Sequence, residues 1–197
     1  MYYKERSDFM SKLTTKKAIG YAFKELLLEK PFNKISVNDI TDKCGINRQT
    51  FYYHFCDIRD LVEWICVEDA ENALKDNRTY KNWVDGFLAI FDLLKKDRIF
   101  VLNIYKNAHR DLLENYLHKV TYDLLLNVVN EKAVNYLVRE DDKEAIANFY
   151  KFGFVGIVLE WVENDMRQDA TEIVNQLAYL IHGTLDTALA NADKRNK

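Results

Sequence analysis

Apolar positions in this chain recur at three- and four-residue intervals almost from end to end, and no alternating run of period two interrupts them. That pattern predicts helices and no sheet. Residues 57–75 read as a linker helix. Residues 80–95 carry Trp83, Phe87, Ile90, Phe91 and Leu94 on one stripe, the spacing of a helix packed on a core. A short helix is expected over 98–105. Residues 110–137 keep Leu113, Tyr116, Leu117, Val120, Leu124, Val128 and Tyr136 on a single sustained face, and the charged run 139–142 reads as a loop. Residues 143–164 are apolar over a wide arc, with Phe149, Gly153, Phe154, Gly156, Ile157 and Trp161. The last predicted helix, 171–191, carries Ile173, Leu177, Leu180, Ile181, Thr184, Leu185 and Ala188.

One stretch departs from this rhythm. Residues 35–61, ISVNDITDKCGINRQTFYYHFCDIRDL, contain two short helices joined by a glycine turn. Ser36, with Asp39 three residues on, marks a helix start of the capping-box type. Val37, Ile40, Thr41 and Cys44 give that helix an apolar face. Gly45 ends it, because glycine tolerates the backbone conformation a helix stop requires. Ile46 anchors the turn, and Asn47 suits the N-cap of the next helix. Phe51 and Phe55 fall four apart and should pack inward. Gln49, Tyr52 and Tyr53 then face outward, flanked by Arg48, Thr50 and His54. This is the outline of a helix-turn-helix, although a helical hairpin with half-buried tyrosines fits the same outline. The side chains suit DNA. Arginine bonds the guanine edge and glutamine the adenine edge through paired hydrogen bonds. Tyrosine and threonine hydroxyls and histidine rings donate to phosphate oxygens, which fixes register.

Residues 13–65 resemble the N-terminal domain of TetR/AcrR-type transcriptional regulators. Thr15, Lys16, Ala18, Ala22 and residues 26–28 resemble that family's first helix. Phe32, Ile35, Ser36, Val37, Ile40 and Gly45 resemble its connecting pattern, residues 50–55 its recognition helix, and residues 57–61 the start of its fourth helix. The resemblance implies that Arg48, Gln49 and Thr50 face bases, and that Tyr52, Tyr53, His54, Thr15, Lys16, Ser36 and Arg59 serve phosphates and positioning. In one place the chain departs from the family. A lysine that often contacts phosphate near the first turn of helix four is replaced by Ile58, followed by Arg59. Either Arg59 takes over the contact or the helix N-terminus does.

Composition agrees with an all-helical chain. One proline and six glycines among 197 residues leave few helix breakers, and 48% hydrophobic residues supply ample core. The formal net charge of −3 speaks superficially against a nucleic-acid partner. Residues 1–65, however, carry a net +2 and the remainder a net −5, a mildly basic head on an acidic body. Three cysteines, Cys44, Cys56 and Cys66, contain no C-x-x-C pair, so neither a disulfide framework nor a zinc site is expected. His109 and His118 lie nine apart, which is not a metal-ligand spacing on one helix face. No cofactor is expected. The charged start of the chain lacks the apolar segment of a secretory leader. The longest uncharged stretch, 152–159, is too short for a bilayer. A cytoplasmic protein without a membrane partner is the expectation.

The resulting expectation is an all-α chain. Residues 1–65 form a three-helix helix-turn-helix DNA-binding domain, and residues 66–197 a helical bundle for ligand sensing and dimerisation. The resemblance implies that the last two long helices pair with those of a second copy, through Phe149, Gly153, Ile157, Trp161, Leu177, Ile181 and Leu185. A symmetric dimer presents two heads to the half-sites of a palindrome. Trp83, Phe87, Phe91, Phe100, Tyr105, Tyr116 and Tyr122 are candidates to line a pocket for an apolar effector, although aromatics at helical spacing are also what cores contain. The segment FYKFGFVGIVLEWVEND resembles a subgroup of the same family that includes a dihydroxyacetone kinase operon activator, which implies a protein partner as trigger. No nucleophile–base pair, metal motif or phosphate-binding glycine loop appears, so no enzyme is expected. The expected function is a homodimeric transcriptional repressor on a palindromic operator, controlled by a small ligand. The alternatives are an activator controlled by a partner protein, or a helical interaction module that no longer binds DNA.

Overall fold

The computed structural model describes residues 2–73, 83–107 and 110–197, and among these every regular element is helical. Helix α1 (Tyr2–Glu29) ends just before Pro31, whose ring cannot continue a helix. A 3-10 turn (Phe32–Lys34) leads into α2 (Val37–Cys44), α3 (Arg48–His54) and α4 (Ile58–Ala73). Then come α5 (Trp83–Lys96), α6 (Arg98–Lys106) and α7 (Arg110–Lys132), a second 3-10 turn (Ala133–Asn135), α8 (Glu140–Glu163), α9 (Ala170–Ile181) and α10 (Thr184–Asn196).

The head closes around one apolar cluster. Ile19, Phe23 and Leu26 of α1, Ile40 of α2, Phe51 of α3, Phe55, and Leu61 and Val62 of α4 are all buried. Local chemistry sets the two short helices. The Ser36 hydroxyl accepts from the Asp39 amide, and the Asp39 carboxylate accepts from the Ser36 amide at 2.7 Å, a complete capping box. Gly45 takes φ +70°, the left-handed stop expected of it. Asn47 Oδ1 accepts from the Thr50 amide at 2.8 Å and starts α3.

In the body, α7 and α8 pack along each other. Phe87 meets Phe154 edge-on at 4.2 Å and Phe91 meets Trp161 at 4.8 Å, joining α5 to α8. Helix α8 is long and apolar enough to cross a bilayer by length and composition. Its Phe154, Val155, Val158, Leu159 and Val162 are instead buried in the body. Helix α6 bridges body and head. Its Phe100 packs edge-on against Phe23 at 6.3 Å, and Asp97 just before it, with Asp69 of α4, receives Lys24 of α1 at 2.6 and 2.7 Å. Burial works against the charge on Lys24, but the two carboxylates outweigh it and its pKa stands above the usual lysine value.

The structure corrects several expected boundaries. Glu140, Asp141 and Asp142 belong to the first turn of α8 rather than to a loop, where carboxylates favour the positive end of the helix dipole. The long helix from 110 stops at Lys132, so Tyr136 follows a 3-10 turn. The expected helix 171–191 is two helices, broken at Gly183 with φ +75°. The Thr184 hydroxyl donates to the Ile181 carbonyl and accepts from Tyr150, which fixes the bend. Residues 74 and 75 of the expected linker helix, residues 80–82 of the next, and His109 lie outside the described residues.

Candidate nucleic-acid interface

Helix α3 has two faces with opposite fates. Phe51 and Phe55 are buried in the head, their rings 5.8 Å apart. Arg48, Gln49, Tyr52 and Tyr53 are exposed on the other side, and Thr50 and His54 are half-buried at the edges. The Thr50 hydroxyl donates to Asn47 Oδ1 at 3.0 Å. The Tyr53 and His54 rings meet edge-on at 5.0 Å. Arg48 stands over the Tyr52 ring, its Cζ 5.8 Å from the centroid, and donates from Nη2 to the Tyr52 hydroxyl at 3.3 Å.

Helix α1 contributes the other expected contacts. Thr15 is half-buried. Lys16 Nζ lies 5.0 Å from the Phe55 ring and 5.5 Å from the Trp64 ring, a cation held by aromatic faces. The Ser36 hydroxyl is taken up by the capping box. At helix four, Arg59 forms an ion pair with Asp111 of α7. Asp57 accepts from the Asp60 amide and Asp60 from the Cys56 amide, so carboxylates occupy that helix start. Ile58 packs against the core.

Among the described residues, four further cations of the head are likewise matched with acids. Lys17 pairs with Glu68, Lys24 with Asp69 and Asp97, Lys30 with Asp39, and Lys43 with Glu25 and Glu29. Arg48 and Lys16 form no ion pair among the described residues; their partners are aromatic rings and the Tyr52 hydroxyl. Among the described cations of the head that form no ion pair, Lys16 and Arg48 are two of those expected to meet DNA.

Among the described residues, the aromatics expected to line an effector pocket lie in different surroundings. Phe87 and Phe91 are fully buried against Phe154 and Trp161. Trp83 edges a cleft of about 70 Å³ with Val128, Lys132 and Ile181. Phe100 and Tyr116 border a void of about 20 Å³ with Cys66, Asp69 and Asp97. Burial pushes the Cys66 thiol up to about 12, so it is held as an inert thiol. Tyr105 lies beside the Arg110 guanidinium, 5.1 Å from ring centre to Cζ, and Tyr122 beside the Lys151 ammonium at 5.6 Å.

The residues expected at a dimer interface divide. Phe149 is 75% exposed, and Gly153 is exposed with nothing within 4 Å of an added Cβ. Ile157 and Leu177 line a groove of about 250 Å³ between α8 and α9. Ile181 and Leu185 are half-buried. Trp161 is 3% exposed and its indole N–H donates to the Gln168 carbonyl at 2.9 Å, which makes it chiefly a core residue. The sequence reading missed Phe152, Tyr179 and Leu180 as surface residues, although all three are exposed and Tyr179 reaches 83%. The available signal was that Tyr179 lies off the stripe of Ile173, Val174, Leu177 and Ile181.

A capped two-turn helix with a buried aromatic face and an exposed arginine–glutamine–tyrosine face, backed by a helical body, defines a helix-turn-helix DNA-binding protein. The family description "Bacterial regulatory proteins, tetR family" matches residues 22–65, and "Transcriptional regulator C-terminal region" of the same family matches residues 81–183. The chain is 31% identical over 173 residues to the HTH-type dhaKLM operon transcriptional activator DhaS of Lactococcus lactis subsp. lactis (strain IL1403), covering 84% of this chain and 89% of that one. A solved structure of the dihydroxyacetone kinase operon activator DhaS superposes with a TM-score of 0.70 at 25% identity, over 89% of this chain and 98% of that chain. The chain belongs to the TetR family of transcriptional regulators. Its relatives are DNA-binding regulators and not enzymes.

Proposed function

We propose that the protein is a cytoplasmic, homodimeric regulator that reads a palindromic operator with α3 of each copy and activates transcription. The observation that carries the reading role is the split of α3 into a buried Phe51–Phe55 face and an exposed face bearing an arginine without a carboxylate partner. On this reading residues 1–65 are the DNA-binding head and 66–197 the controlling body. Arg48, Gln49 and Thr50 face bases. Tyr53, His54, Thr15 and Lys16 contribute to phosphate contact and positioning, and Tyr52 to positioning. Activation, rather than the repression expected from the sequence, is favoured by likeness to a protein named as an activator. Control by a partner protein is the reading preferred to a free small ligand, although the groove between α8 and α9 holds about 250 Å³. The cavities bordered by the expected aromatics hold about 20 and 70 Å³, against roughly 300–1,000 Å³ for sites that enclose drug-sized ligands.

The test is selection of bound duplexes from a random DNA pool at two salt concentrations. A palindromic motif whose affinity falls with added salt is expected; weak binding without a motif would contradict the reading. On the selected site Arg48→Ala should cost about 1–3 kcal/mol in binding, concentrated at one base pair of each half-site. Uniform weakening of every sequence would remove the base-reading role.

The proposed second copy covers the outer faces of α8 and α9, where Phe149, Phe152, Tyr179 and Leu180 stand exposed. Gly153 and Gly156 have open space above them within one chain, which leaves room for a close helix from outside. Phe149→Asp should therefore give a folded monomer by light scattering, with operator affinity reduced at least tenfold because each head then binds alone. A dimer that survives the substitution would place the interface elsewhere.

A further inference from the structure

We propose that Tyr52 is a positioning residue for Arg48, so that base preference at the position Arg48 faces is set by the two side chains together. The inference rests on the DNA-reading role proposed for α3. Arg48 is the first residue of that helix and carries a long side chain with no carboxylate to orient it among the described residues. What orients it is Tyr52, its neighbour one turn on. The ring lies beside the guanidinium at 5.8 Å and the hydroxyl accepts from Nη2 at 3.3 Å. Tyr52 is itself held, because its ring stands edge-on to Phe51 at 5.6 Å and Phe51 is fully buried. A line of contacts therefore runs from the head core through Tyr52 to the tip of Arg48.

This arrangement matters because a guanidinium reads guanine as a planar fork, and both hydrogen bonds form only when the plane is correctly turned. A free arginine must be immobilised on binding, at an entropic cost. One already held beside a ring and hydrogen-bonded to its hydroxyl has part of that ordering in place. The tyrosine hydroxyl acts on specificity through Arg48, which differs from donation to a phosphate. Donation to a phosphate strengthens binding to all sequences alike.

The experiment is a double-mutant cycle on the full chain with Tyr52→Phe, Arg48→Ala and the pair. It is read as base preference in the selected motif and as the slope of affinity against salt. Tyr52→Phe keeps the ring and its packing, and an unchanged melting temperature checks the fold. The expected result is a loss of preference at the Arg48 base pair by about threefold to tenfold, the scale of one hydrogen bond. The salt slope should not change, and the Arg48→Ala background should show no further loss. Equal weakening of all sequences in both backgrounds, or a shallower salt slope, would overturn the inference and make Tyr52 a phosphate contact. Unchanged preference would overturn it as well. A parent protein that selects no motif fails the DNA-reading role itself, a result distinguishable from failure of the Tyr52 role.

Discussion

Phe51→Ala should abolish operator binding and lower the melting temperature on the order of 10 °C, from a destabilisation of about 3–5 kcal/mol. Helix α3 is seven residues long, well below the length at which a helix holds together unaided. It exists because Asn47 caps it and Phe51 ties it to Ile40, Phe55 and Leu61 in the head core. Removing the ring leaves a void where the surface was fully buried, and also removes the edge that Tyr52 rests on. Thermal unfolding followed by circular dichroism, alongside operator titration, measures both consequences. If the melting temperature stayed within 2 °C of the parent, the core placement of α3 would be wrong.

Trp161→Ala should be comparably severe, about 3–5 kcal/mol. The indole fills the space beside Phe91 at 4.8 Å and donates to the Gln168 carbonyl, so the substitution opens a cavity and leaves a carbonyl short of its donor. The turn it supports holds Asp165 and Met166 at φ +58° and +55°, conformations that side-chain-bearing residues keep only when their surroundings enforce them. The Met166 amide donates to the Trp161 carbonyl at 2.8 Å, and Lys106 donates to Asp165 from α6 at 2.8 Å. Loss of stability is the expected readout in urea unfolding. Trp161→Ala as a stably folded monomer would instead return this residue to the dimer interface, where the sequence pattern had put it.

These two residues also show what was legible in advance. The helix-turn-helix could be read almost to the residue because its determinants are local. A serine and an aspartate three apart, a glycine at the stop, an asparagine at the next start and two phenylalanines four apart each specify geometry within one turn of chain. The break at Gly183 escaped because Ile181, Leu185 and Ala188 keep helical spacing across it, and a lone glycine within a helical pattern costs only about 1 kcal/mol. The acidic run 140–142 was read as a loop because charge suggests solvent, whereas its place at a helix start is decided by the dipole. Aromatic periodicity predicted which side chains are inside, and Phe87 and Phe91 are. It carries no information about whether space remains between them. The partner of Arg59 is 52 residues away in sequence, and no local pattern encodes a pairing at that distance.

The matching of cations with acids in the head has a consequence for how the protein searches. A basic surface is what draws a regulator onto bulk chromosome and lets it slide there. Here Lys17, Lys24, Lys30, Lys43 and Arg59 are each opposed by a carboxylate, so the far field is weak and residence on arbitrary sequence should be brief. If it reads an operator as proposed, such a protein should find it mainly by repeated encounters from solution rather than by long one-dimensional excursions. On the proposed reading the bulk of the genome would compete little for it, and fewer copies per cell would be needed to keep an operator occupied.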